Sequence, residues 1–498
     1  MSRKNKSLTR REALQSACLL GACSLGLSAD VSVASEKRRT SSAVLSNLPV
    51  LFETDVLVVG GGAGGICAAV AAARAGAKTT LIERWPILGG LATMGRVNMW
   101  HTSDRKREVI FGLTREMVER LKSYDGIQQL QDFPNKHETY IFSPEWLAIV
   151  HDDLVREAKI RTLCYTQCVG AIIADRNIEA AVIATPTGLK QVRAKRFIDA
   201  SGDGSLGFFA GCRTDVGRKS DGKTQGMSQL MSFEGLDRSH EKEIVEAIGP
   251  MRKRMAQLRD EGKLPAFGPH WFVGDFIWRW PGTLLACTSG DSLDGEDLTR
   301  AAMEARAKIP EFLRFFREEW PGCEKLDLNR LAPALGVRES RRVRGLYQFT
   351  GDDVRELRSF PDAVGQGFWM VDIHDPKGSG KTTWSDKGIH PEPGTTYQIP
   401  YRILVAADAD NLLLAGRCAS ATHEGMAGLR VQTHCHVMGQ AAGTAAALSL
   451  QADVRPADLE VADLQKRLID AGVSIDLERV NKANNAAMKR KEDRLMSV

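Results

Sequence analysis

A glycine-rich loop is the clearest chemical signal in the sequence. The apolar run Val56–Val59 leads directly into Gly60-Gly61-Gly62-Ala63-Gly64-Gly65, which has the spacing G-x-G-x-x-G. In such a loop the first glycine makes a tight turn, the second lets a pyrophosphate approach the backbone, and the third lets helix and strand pack closely. The spacing therefore predicts a dinucleotide site, with Gly60, Gly62 and Gly65 in these three roles.

The elements predicted around the loop support this interpretation. The apolar run before it is typical of a buried parallel strand, and Ala68–Ala75 after it predicts a helix that ends at Gly76. The free N–H groups at the start of that helix attract phosphate. A second predicted strand, Thr79–Ile82, ends at Glu83, whose carboxylate can accept ribose hydroxyls. This order of elements is far more specific than the glycine spacing alone.

A second stretch also has the spacing G-x-G-x-x-G. It is Gly202–Gly207, and it follows a predicted strand at Arg196–Ala200. The helix after it is short, however, and no strand ending in an acid follows at the right distance. We therefore predict that this loop closes over the same nucleotide and does not bind a second one.

Three further segments favour FAD over NAD. Gly89–Thr93 resembles the segment by which glutathione-reductase-type flavoproteins wrap the pyrophosphate and the flavin. A predicted three-stranded meander resembles the one that replaces the crossover helix in that superfamily. Near the C-terminus, Asn411–Arg417 predicts another buried strand entering a glycine turn, and a small-residue helix that includes Gly439–Gly443 follows. Its beginning could aim N–H groups at a flavin oxygen, although close packing on a sheet explains the small residues equally well. The meander strands are predicted at Leu163–Ile173, Ile178–Ala184 and Gln191–Ile198.

Residues 55 to about 450 resemble the FAD-dependent oxidoreductase family of the glutathione-reductase (Rossmann) superfamily. Its members include many exported proteins, some loosely labelled xanthan lyases. Ser201 stands where the family usually has threonine, a change that keeps the hydroxyl. The segments that carry the resemblance beyond the loop are Ile198–Gly204, Leu335–Arg342, Val371–His374 and Ala415–Gly443.

The resemblance implies an α/β fold in which a discontinuous Rossmann-type FAD-binding domain carries an inserted α+β substrate domain. We expect the first part of the FAD domain at 50–215, the substrate domain at 216–330, the second part at 331–455, and a C-terminal helix and charged tail at 456–498. The residues predicted to bind FAD are Gly60, Gly62, Ala63, Gly64, Gly65, Glu83, Arg84, Gly90, Leu91, Thr93, Gly202, Asp203, Gly416 and Arg417.

Histidines and arginines in the family-matching segments are the catalytic candidates. His374 and His423 could act as a base for the proton that leaves when a C–H bond is oxidised, or could be structural hydrogen-bonding residues. Arg338 and Arg341, with Arg342 beside them, could bind flavin phosphate or an anionic substrate, or could pair with Glu339 and nearby acids.

A further histidine pair lies on the small-residue helix. His434 follows Arg430 by four residues and could share its helix face. A metal site at His434 and His436 is disfavoured, because side chains at i and i+2 diverge on a helix. We predict no metal.

Composition restricts the class of protein. With 43% hydrophobic and 26% charged residues, the chain is expected to fold as a soluble globular protein. A net charge of +5 without a basic, aromatic-rich patch argues against nucleic acid as a partner. The ten cysteines include no CxxC pair, so most are expected to be small buried apolar residues.

The intervening region predicts a different architecture. Met227–Phe233 is expected to form a strand, Glu241–Glu261 a polar helix, and Asp297–Arg317 an amphipathic helix. The aromatic-rich segment Trp271–Trp280 forms either the apolar face of a sheet or, through Trp271, Trp278 or Trp280, the wall of a substrate entrance. After Ile475 the sequence becomes charged and predicts a solvated tail.

The first 34 residues resemble a twin-arginine export signal. Arg10-Arg11 precede an apolar stretch from Ala17 to Ala29, and Ser32-Val33-Ala34 offer small residues for cleavage. About thirteen apolar residues are too few to span a bilayer of roughly 30 Å. The protein is therefore expected in the periplasm or cell envelope, with membrane contact only through an uncleaved signal or a lipid on Cys23.

These observations predict an exported FAD-dependent oxidoreductase that transfers hydride between flavin N5 and a small hydroxylated substrate, such as a carbohydrate or polyol. One alternative is a fumarate-reductase-type enzyme that grips an unsaturated carboxylate with Arg338 or Arg341. Another is a flavin electron carrier without a substrate. Because no second complete dinucleotide motif is present, the expected electron partner is external: a carrier, a quinone or oxygen.

Overall fold

The strands on either side of the glycine loop belong to one seven-stranded sheet. In the computed structural model, which describes residues 47–130, 139–267, 283–382 and 391–496, its order is β6-β2-β1-β9-β8-β7, with β17 also paired to β9. The strands are β1 Val50–Val59, β2 Thr79–Ile82, β3 Met99–His101, β4 Ile127–Leu130, β5 Thr139–Phe142, β6 Arg161–Leu163, β7 Gln167–Ala174, β8 Asn177–Thr185, β9 Gly188–Asp199, β10 Thr214–Val216, β11 Met227–Glu234, β12 Thr283–Thr288, β13 Asp327–Leu331, β14 Arg341–Val343, β15 Ala363–Gly367, β16 Tyr397–Pro400 and β17 Leu412–Leu414.

The α-helices lie on the faces of this sheet and in the inserted region. They are α1 Ala63–Arg74, α2 Leu113–Ser123, α3 Pro144–Glu157, α4 Ser205–Phe209, α5 Glu241–Asp260, α6 Gly295–Ala307, α7 Ile309–Glu319, α8 Gly351–Arg355, α9 His423–Leu429, α10 Gln432–Gln451, α11 Val461–Asp470 and α12 Leu477–Met496.

The sheet register brings four separate chain segments to one edge. Strands β6, β2, β1, β9 and β17 are parallel, so their carboxyl ends point the same way. Val59 pairs with both Ile82 and Asp199, and Leu414 also pairs with Asp199. The glycine loop, Glu83, the Gly202 loop and the Gly416 turn therefore begin side by side. Ligands of open parallel sheets bind at this edge.

The first strand, helix and second strand form as the sequence predicts, and α1 ends before Gly76, which has a φ of +95°. The meander is also confirmed in β7, β8 and β9. Its first limit was wrong, because Leu163 belongs to the separate strand β6, which pairs in parallel with β2. The meander begins at Gln167.

The small-residue helix α10 packs against another helix. A Cβ atom at Gly439 would lie 2.0 Å from the Gly64 carbonyl oxygen, and one at Gly443 would lie 2.0 Å from that of Ala68. At Gly439 and Gly443 the close partner is therefore helix α1, while α10 also contacts strands β9 and β17 of the sheet, as expected. The two glycines let the backbones of α10 and α1 approach closely, which a larger side chain would prevent.

The inserted region has a sheet and a hydrophobic core of its own. Strands β12, β11 and β13 form an antiparallel sheet, and apolar residues of α5 and α7 pack against it. Strand β11 and helix α5 confirm two predictions. The single helix predicted over Asp297–Arg317 is wrong, because the chain forms α6 and α7 with a break at Lys308. Pro310 lacks the N–H group that a continuous helix requires. The domain limits themselves stay predictions.

The end of the described chain is helical and not a loose tail. Helix α12 begins at Leu477, buries Val480, and donates a hydrogen bond from Arg479 Nη1 to the Thr396 carbonyl at 2.7 Å. Beyond Val480 most side chains of residues 481–486 are exposed, so the charged segment is helical and also solvated, as predicted.

Two further predictions concern the cysteines and the aromatic segment. Of the eight cysteines in the described residues, all except Cys164 are buried and all are free, as expected for small apolar residues. The aromatic segment Trp271–Trp280, with Trp278, lies outside the described residues.

Within the described ranges, no helix has the length and apolar character needed to cross a bilayer.

Candidate functional site

The glycines of the first loop have the geometry that their predicted roles require. Gly60 has a φ of +101°, and a Cβ there would lie 2.5 Å from the Ala200 carbonyl oxygen. A Cβ at Gly65 would lie 1.7 Å from the carbonyl oxygen of Gly60, so close helix–strand packing depends on its absence. At Gly62 the nearest atom to such a Cβ is Gly90 Cα, 3.9 Å away. Gly62 therefore has no close neighbour in this direction except Gly90, and it lines a cavity in which a pyrophosphate can approach the backbone.

Glu83 fixes the loop from the end of β2. Its Oε2 accepts a hydrogen bond from Gly61 N–H at 2.6 Å, and its Oε1 accepts one from Trp85 N–H at 2.9 Å. Burial raises the pKa of Glu83, and these backbone donors oppose that shift. Glu83 lines the same cavity as Gly62, so its carboxylate is placed where a ribose is expected.

A cavity of about 520 Å³ lies above the loop, and we call it the glycine-loop cavity. Segments from all four strand ends reach it, as does helix α6 of the inserted region. Most of the predicted FAD-binding residues line it: Gly62, Ala63, Gly64, Glu83, Arg84, Gly90, Leu91, Gly202, Gly416 and Arg417.

Four predicted residues support this cavity from behind and do not line it. Gly60 and Gly65 hold the loop, and Thr93 Oγ1 donates a hydrogen bond to the Leu88 carbonyl at 2.7 Å. Asp203 joins two of the lining arginines, with Oδ2 3.3 Å from Arg84 and Oδ1 2.7 Å from Arg417. Although burial alone would raise the pKa of Asp203, the charges of Arg417 and Arg84 lower it.

These residues fit a bound FAD. The cavity has space over Gly62, and α1 begins in it with Ala63 and Gly64. Helix α10 begins at Gln432, a residue that also lines the cavity, and its start has no side-chain cap. Uncapped N–H groups at two helix starts suit the phosphates and a flavin oxygen.

A narrow cleft continues past Glu83 and Arg84. It runs between Gly60 and the segment Thr166–Cys168, at the start of the meander. The sequence does not predict that Thr166–Cys168 lines this cleft. No motif marks this segment, because its role depends only on the position of its strand in the sheet. The cleft extends the cavity on the side of Glu83.

A second, smaller cavity of about 140 Å³ adjoins the first, and we call it the histidine cavity. It contains Arg338, Asp372 and His374, and the aromatic residues Trp100, His101 and Trp369 also line it. Five residues line both cavities and form a shared wall: Leu91, Val337, Arg417, Arg430 and Gln432.

The charged groups of the histidine cavity centre on Asp372. Its Oδ2 accepts a hydrogen bond from Arg430 Nη2 at 2.7 Å and lies 3.5 Å from His374 Nε2. Arg338 Nη1 donates to the Gly226 carbonyl at 2.7 Å. Asp372 Oδ1 and Arg430 Nε are buried without a hydrogen-bond partner among the described residues. Such atoms remain available to a polar ligand.

Burial shifts the pKa values of this group. Burial and the nearby Arg338 charge lower the pKa of His374 to about 4. Burial also lowers the pKa of Arg338 to about 10, which leaves it charged at neutral pH. Burial alone would raise the pKa of Asp372, but His374 and Arg430 hold it far below its usual value. At neutral pH the site therefore holds a neutral imidazole beside a carboxylate and two guanidinium groups.

The family follows from comparison with known proteins. The family model described as "FAD dependent oxidoreductase" matches residues 55–468. The chain belongs to the FAD-dependent oxidoreductase family. Its cofactor is FAD, in agreement with the fit of the glycine-loop cavity.

Individual relatives are more distant. Digoxin reductase from Eggerthella lenta is 36% identical over 89 residues, which cover 16% of this chain and 16% of that protein. The chain thus spans only a small part of the length of that curated relative.

Two solved structures also resemble the chain. A geranylgeranyl bacteriochlorophyll reductase-like protein from Thermoplasma acidophilum is 15% identical with a TM-score of 0.41, covering 86% of this chain and 95% of that one. The p-nitrophenol 4-monooxygenase PnpA from Pseudomonas putida is 13% identical with a TM-score of 0.44, covering 89% and 93%. At these TM-scores the likeness carries no argument about activity.

Two of the four catalytic candidates of this FAD-dependent oxidoreductase lie together. His374 and Arg338 line the histidine cavity, whereas His423 and Arg341 line neither cavity. His423 Nδ1 lies 2.8 Å from Glu339 Oε2. Arg341 Nη1 donates to the Asp203 carbonyl at 3.2 Å.

Arg342, Arg430 and His434 each lie in different surroundings. Arg342 is buried and pairs with Glu339, the alternative that the sequence left open for this cluster. Arg430 and His434 do not share a helix face, because Arg430 caps α9 and α10 begins only at Gln432. His434 is instead buried, and its Nδ1 lies 3.0 Å from the Gly428 carbonyl.

Sequence reasoning missed the roles of Asp372 and Arg430. Asp372 lies in a family-matching segment two residues before His374, so its type and spacing offered a weak signal. Arg430 offered none, because only the packing of α9 beside the loop before His374 brings it to Asp372. In the described residues, no group of three or more histidine, cysteine, aspartate or glutamate side chains could hold a metal ion.

Proposed function

We propose that this FAD-dependent oxidoreductase transfers hydride between FAD and a carbon atom of a small hydroxylated substrate bound in the histidine cavity. The observation that carries the proposal is the shared wall, because it places the charged cluster of His374, Asp372 and Arg338 directly beside the glycine-loop cavity. Bound FAD supplies the hydride acceptor or donor. The protein residues must then handle the proton and the developing charge.

His374 and Arg338 have complementary roles in this proposal. Neutral His374 accepts the proton of the substrate hydroxyl as the C–H bond is oxidised, and returns it when the reaction runs in reverse. The Arg338 guanidinium stabilises the negative charge on the substrate oxygen, since its donors act in a buried site. The Asp372 carboxylate stabilises the positive charge of His374 once His374 is protonated.

The size and lining of the histidine cavity restrict the substrate. About 140 Å³ admits a small molecule or one reacting end of a larger one. Trp100 and Trp369 offer flat apolar surfaces, and His101 stacks on Trp369 with ring centroids 4.5 Å apart. Such walls suit the face of a sugar ring or another flat organic group. A carbohydrate or polyol is therefore the first class to test.

Anaerobic reduction of the bound flavin tests this function. We expect a member of a panel of sugars, polyols and hydroxy acids to bleach the flavin absorption of the wild-type enzyme. His374→Gln should slow that reduction by roughly 10²- to 10⁴-fold, the usual contribution of a general base, with unchanged FAD content. His240→Gln is the matched control, because His240 is exposed, lines neither cavity and lies beside Asp237 and Ser239. Equal rates in His374→Gln and wild type would contradict the proposed role.

A second candidate is the reduction of an unsaturated carboxylate. It is favoured by the presence of two arginines, Arg338 and Arg430, in the histidine cavity, since guanidinium groups match carboxylates. The relative named digoxin reductase, similar over 89 residues, is likewise named as a reductase. Reoxidation of the chemically reduced enzyme by unsaturated acids, with no bleaching by any hydroxylated compound, would favour this reaction.

A flavin electron carrier without a substrate is the third possibility. Asp372 Oδ1 and Arg430 Nε are buried with no partner in the described part of the chain, which argues against a carrier, because a carrier has no use for such atoms. If neither class of compound exchanged electrons with the flavin while a protein or quinone partner did, the carrier would be the better interpretation. In the enzyme, an external acceptor or donor completes the cycle.

We further propose that the protein is exported through its twin-arginine-like N-terminal segment. Support comes only from the order Arg10-Arg11, apolar stretch and small residues. Replacing both arginines by lysine should leave the protein in the cytoplasmic fraction of a producing cell. Replacing the pair Arg38-Arg39, which follows the expected cleavage site, is the matched control and should not alter the fraction. Equal distribution of both variants would contradict export by this route.

A further inference from the structure

One face of helix α6 reaches the glycine-loop cavity from the inserted region. Leu298, Ala302 and Arg306 line the cavity together with Thr299. Residues four apart follow one another along the same side of a helix, so Leu298, Ala302 and Arg306 form one stripe. The stripe belongs to a part of the chain that has its own sheet and its own core.

Arg306 differs from the other arginines in the cavity lining. Arg84 and Arg417 pair with Asp203, and Arg430 pairs with Asp372. The side chain of Arg306 makes no ion pair or hydrogen bond with any residue of the described ranges, and it is exposed. A cation with its charge uncompensated therefore lines the space in which FAD binds.

The glycine loop offers backbone N–H groups to the phosphates but no full positive charge. Its residues are glycine and alanine, and the nearest acid, Glu83, adds negative charge to the same cavity. The diphosphate of FAD carries two negative charges at neutral pH. A guanidinium group matches phosphate in charge and in the geometry of its donors.

We infer that Arg306 is a binding residue for the diphosphate of FAD, supplied by the inserted region across the cavity from the glycine loop. The inserted region thereby contributes to cofactor retention as well as to the substrate side. Loss of FAD should loosen α6, and loss of the Arg306 charge should release FAD faster without disturbing the loop itself.

The dissociation of FAD from the purified holoenzyme tests this inference. Flavin fluorescence that appears on dilution reports the release rate, and titration of the stripped protein gives the Kd. Arg306→Ala should weaken FAD binding by roughly two- to fivefold, as expected for an exposed charge pair. Arg306→Lys, which keeps the charge, should recover part of the loss. Addition of salt should narrow the difference between wild type and Arg306→Ala.

Arg300→Ala is the matched control on the same helix. Arg300 pairs with Asp297 and Glu304 and does not line the glycine-loop cavity, so its removal should leave the Kd for FAD unchanged. Riboflavin, which lacks phosphate, should bind wild type and Arg306→Ala equally. An unchanged Kd for FAD in Arg306→Ala would overturn the inference. So would an equal loss of riboflavin binding, since the side chain would then act on the flavin or on the fold.

Discussion

A single carboxylate organises the charged residues of the histidine cavity. Asp372 binds Arg430 directly and lies within 3.5 Å of His374, while Arg338 lies near enough to affect the pKa of both Asp372 and His374. With His374 neutral, the two arginines exceed the carboxylate by one positive charge. In the proposed reaction this excess would stabilise a substrate oxygen that gains negative charge, and it also disfavours a proton on His374.

The pH dependence of flavin reduction should reflect this environment. The pKa of His374 is lowered to about 4, so the base is neutral above that value and protonated below it. We expect kcat/KM for reduction of the flavin to stay constant from neutral pH down to about pH 5 and to fall only near pH 4, instead of falling near the usual histidine value of about 6.5. Stopped-flow pH jumps measure this before the protein unfolds. A limb near pH 6.5 that disappears in His374→Gln would contradict the buried, neutral state.

Asp372→Asn should move the same limb in a defined direction. The Asp372 carboxylate raises the pKa of His374, whereas burial and Arg338 lower it. Removal of the carboxylate charge should therefore lower the pKa of His374 further and shift the acidic limb to lower pH. The weaker base should also slow the reaction at neutral pH. Asp375→Asn serves as the control, because Asp375 lines neither cavity. A shift of the limb to higher pH would contradict the assigned interaction.

At the scale of elements, the contact between α10 and α1 connects the two distant parts of the FAD domain. Both helices start at the glycine-loop cavity, and their backbones approach at Gly64–Gly439 and Ala68–Gly443. A helix interior ordinarily disfavours glycine by about 1 kcal/mol relative to alanine. The close approach outweighs that cost, because it positions the starts of both helices relative to the same ligand.

A pair of identical substitutions distinguishes packing from helix propensity. Gly439→Ala places a Cβ 2.0 Å from the Gly64 carbonyl oxygen and should reduce the free energy of unfolding by about 1–3 kcal/mol. It should also weaken FAD binding, because Gly64 lies in the phosphate loop. Gly249→Ala on α5 is the control, since beyond its own helix backbone and chain neighbours the added Cβ meets no atom within 4 Å. That change should alter the free energy of unfolding by less than about 1 kcal/mol, because the following Pro250 opposes the gain in helix propensity. Urea unfolding measures both, and equal effects would contradict the packing role of Gly439.

At the scale of the whole molecule, buried histidines make the fold sensitive to acid. Burial lowers the pKa values of His151, His374 and His434 to about 4 and of His436 to about 3. In the unfolded chain each would titrate near the usual value of about 6.5. Between these values the unfolded state binds more protons than the folded state, so acid favours unfolding.

The free energy of unfolding should therefore decline as the pH falls from about 6.5 towards 4. The sign follows from the depressed folded-state pKa values, and each histidine contributes up to roughly 1.4 kcal/mol per pH unit in that window. Urea midpoints at several pH values, with FAD in excess, measure the decline. His436→Gln should reduce the slope, whereas His240→Gln, at an exposed position, should not. A constant midpoint between pH 7 and pH 5 would contradict the neutral buried state of these residues.

Much of the FAD domain could be predicted from the sequence, because its signals are local. The local elements follow one another along the chain in the order strand β1, glycine loop, helix α1, strand β2 and Glu83. The residue types in this segment each have a conformational or chemical reason for their position. The meander and β11 were predictable for the same reason, since alternating or continuous apolar runs reflect burial on one or both faces. Where a local rule was overlooked, as at Pro310, the prediction of a single helix was wrong.

Tertiary structure alone decided which residues meet. The parallel register brought Gly62, Glu83, Gly202 and Gly416 to one cavity, although more than 300 residues separate the first from the last. Tertiary packing also places His374 and Arg338 in the histidine cavity, but not His423 or Arg341. The same packing brings Asp372 and Arg430 to that cavity. Local sequence determines φ, ψ and periodicity, so it specifies elements and short loops. Contacts between distant elements depend on how their apolar faces pack together, and that is a property of the whole chain.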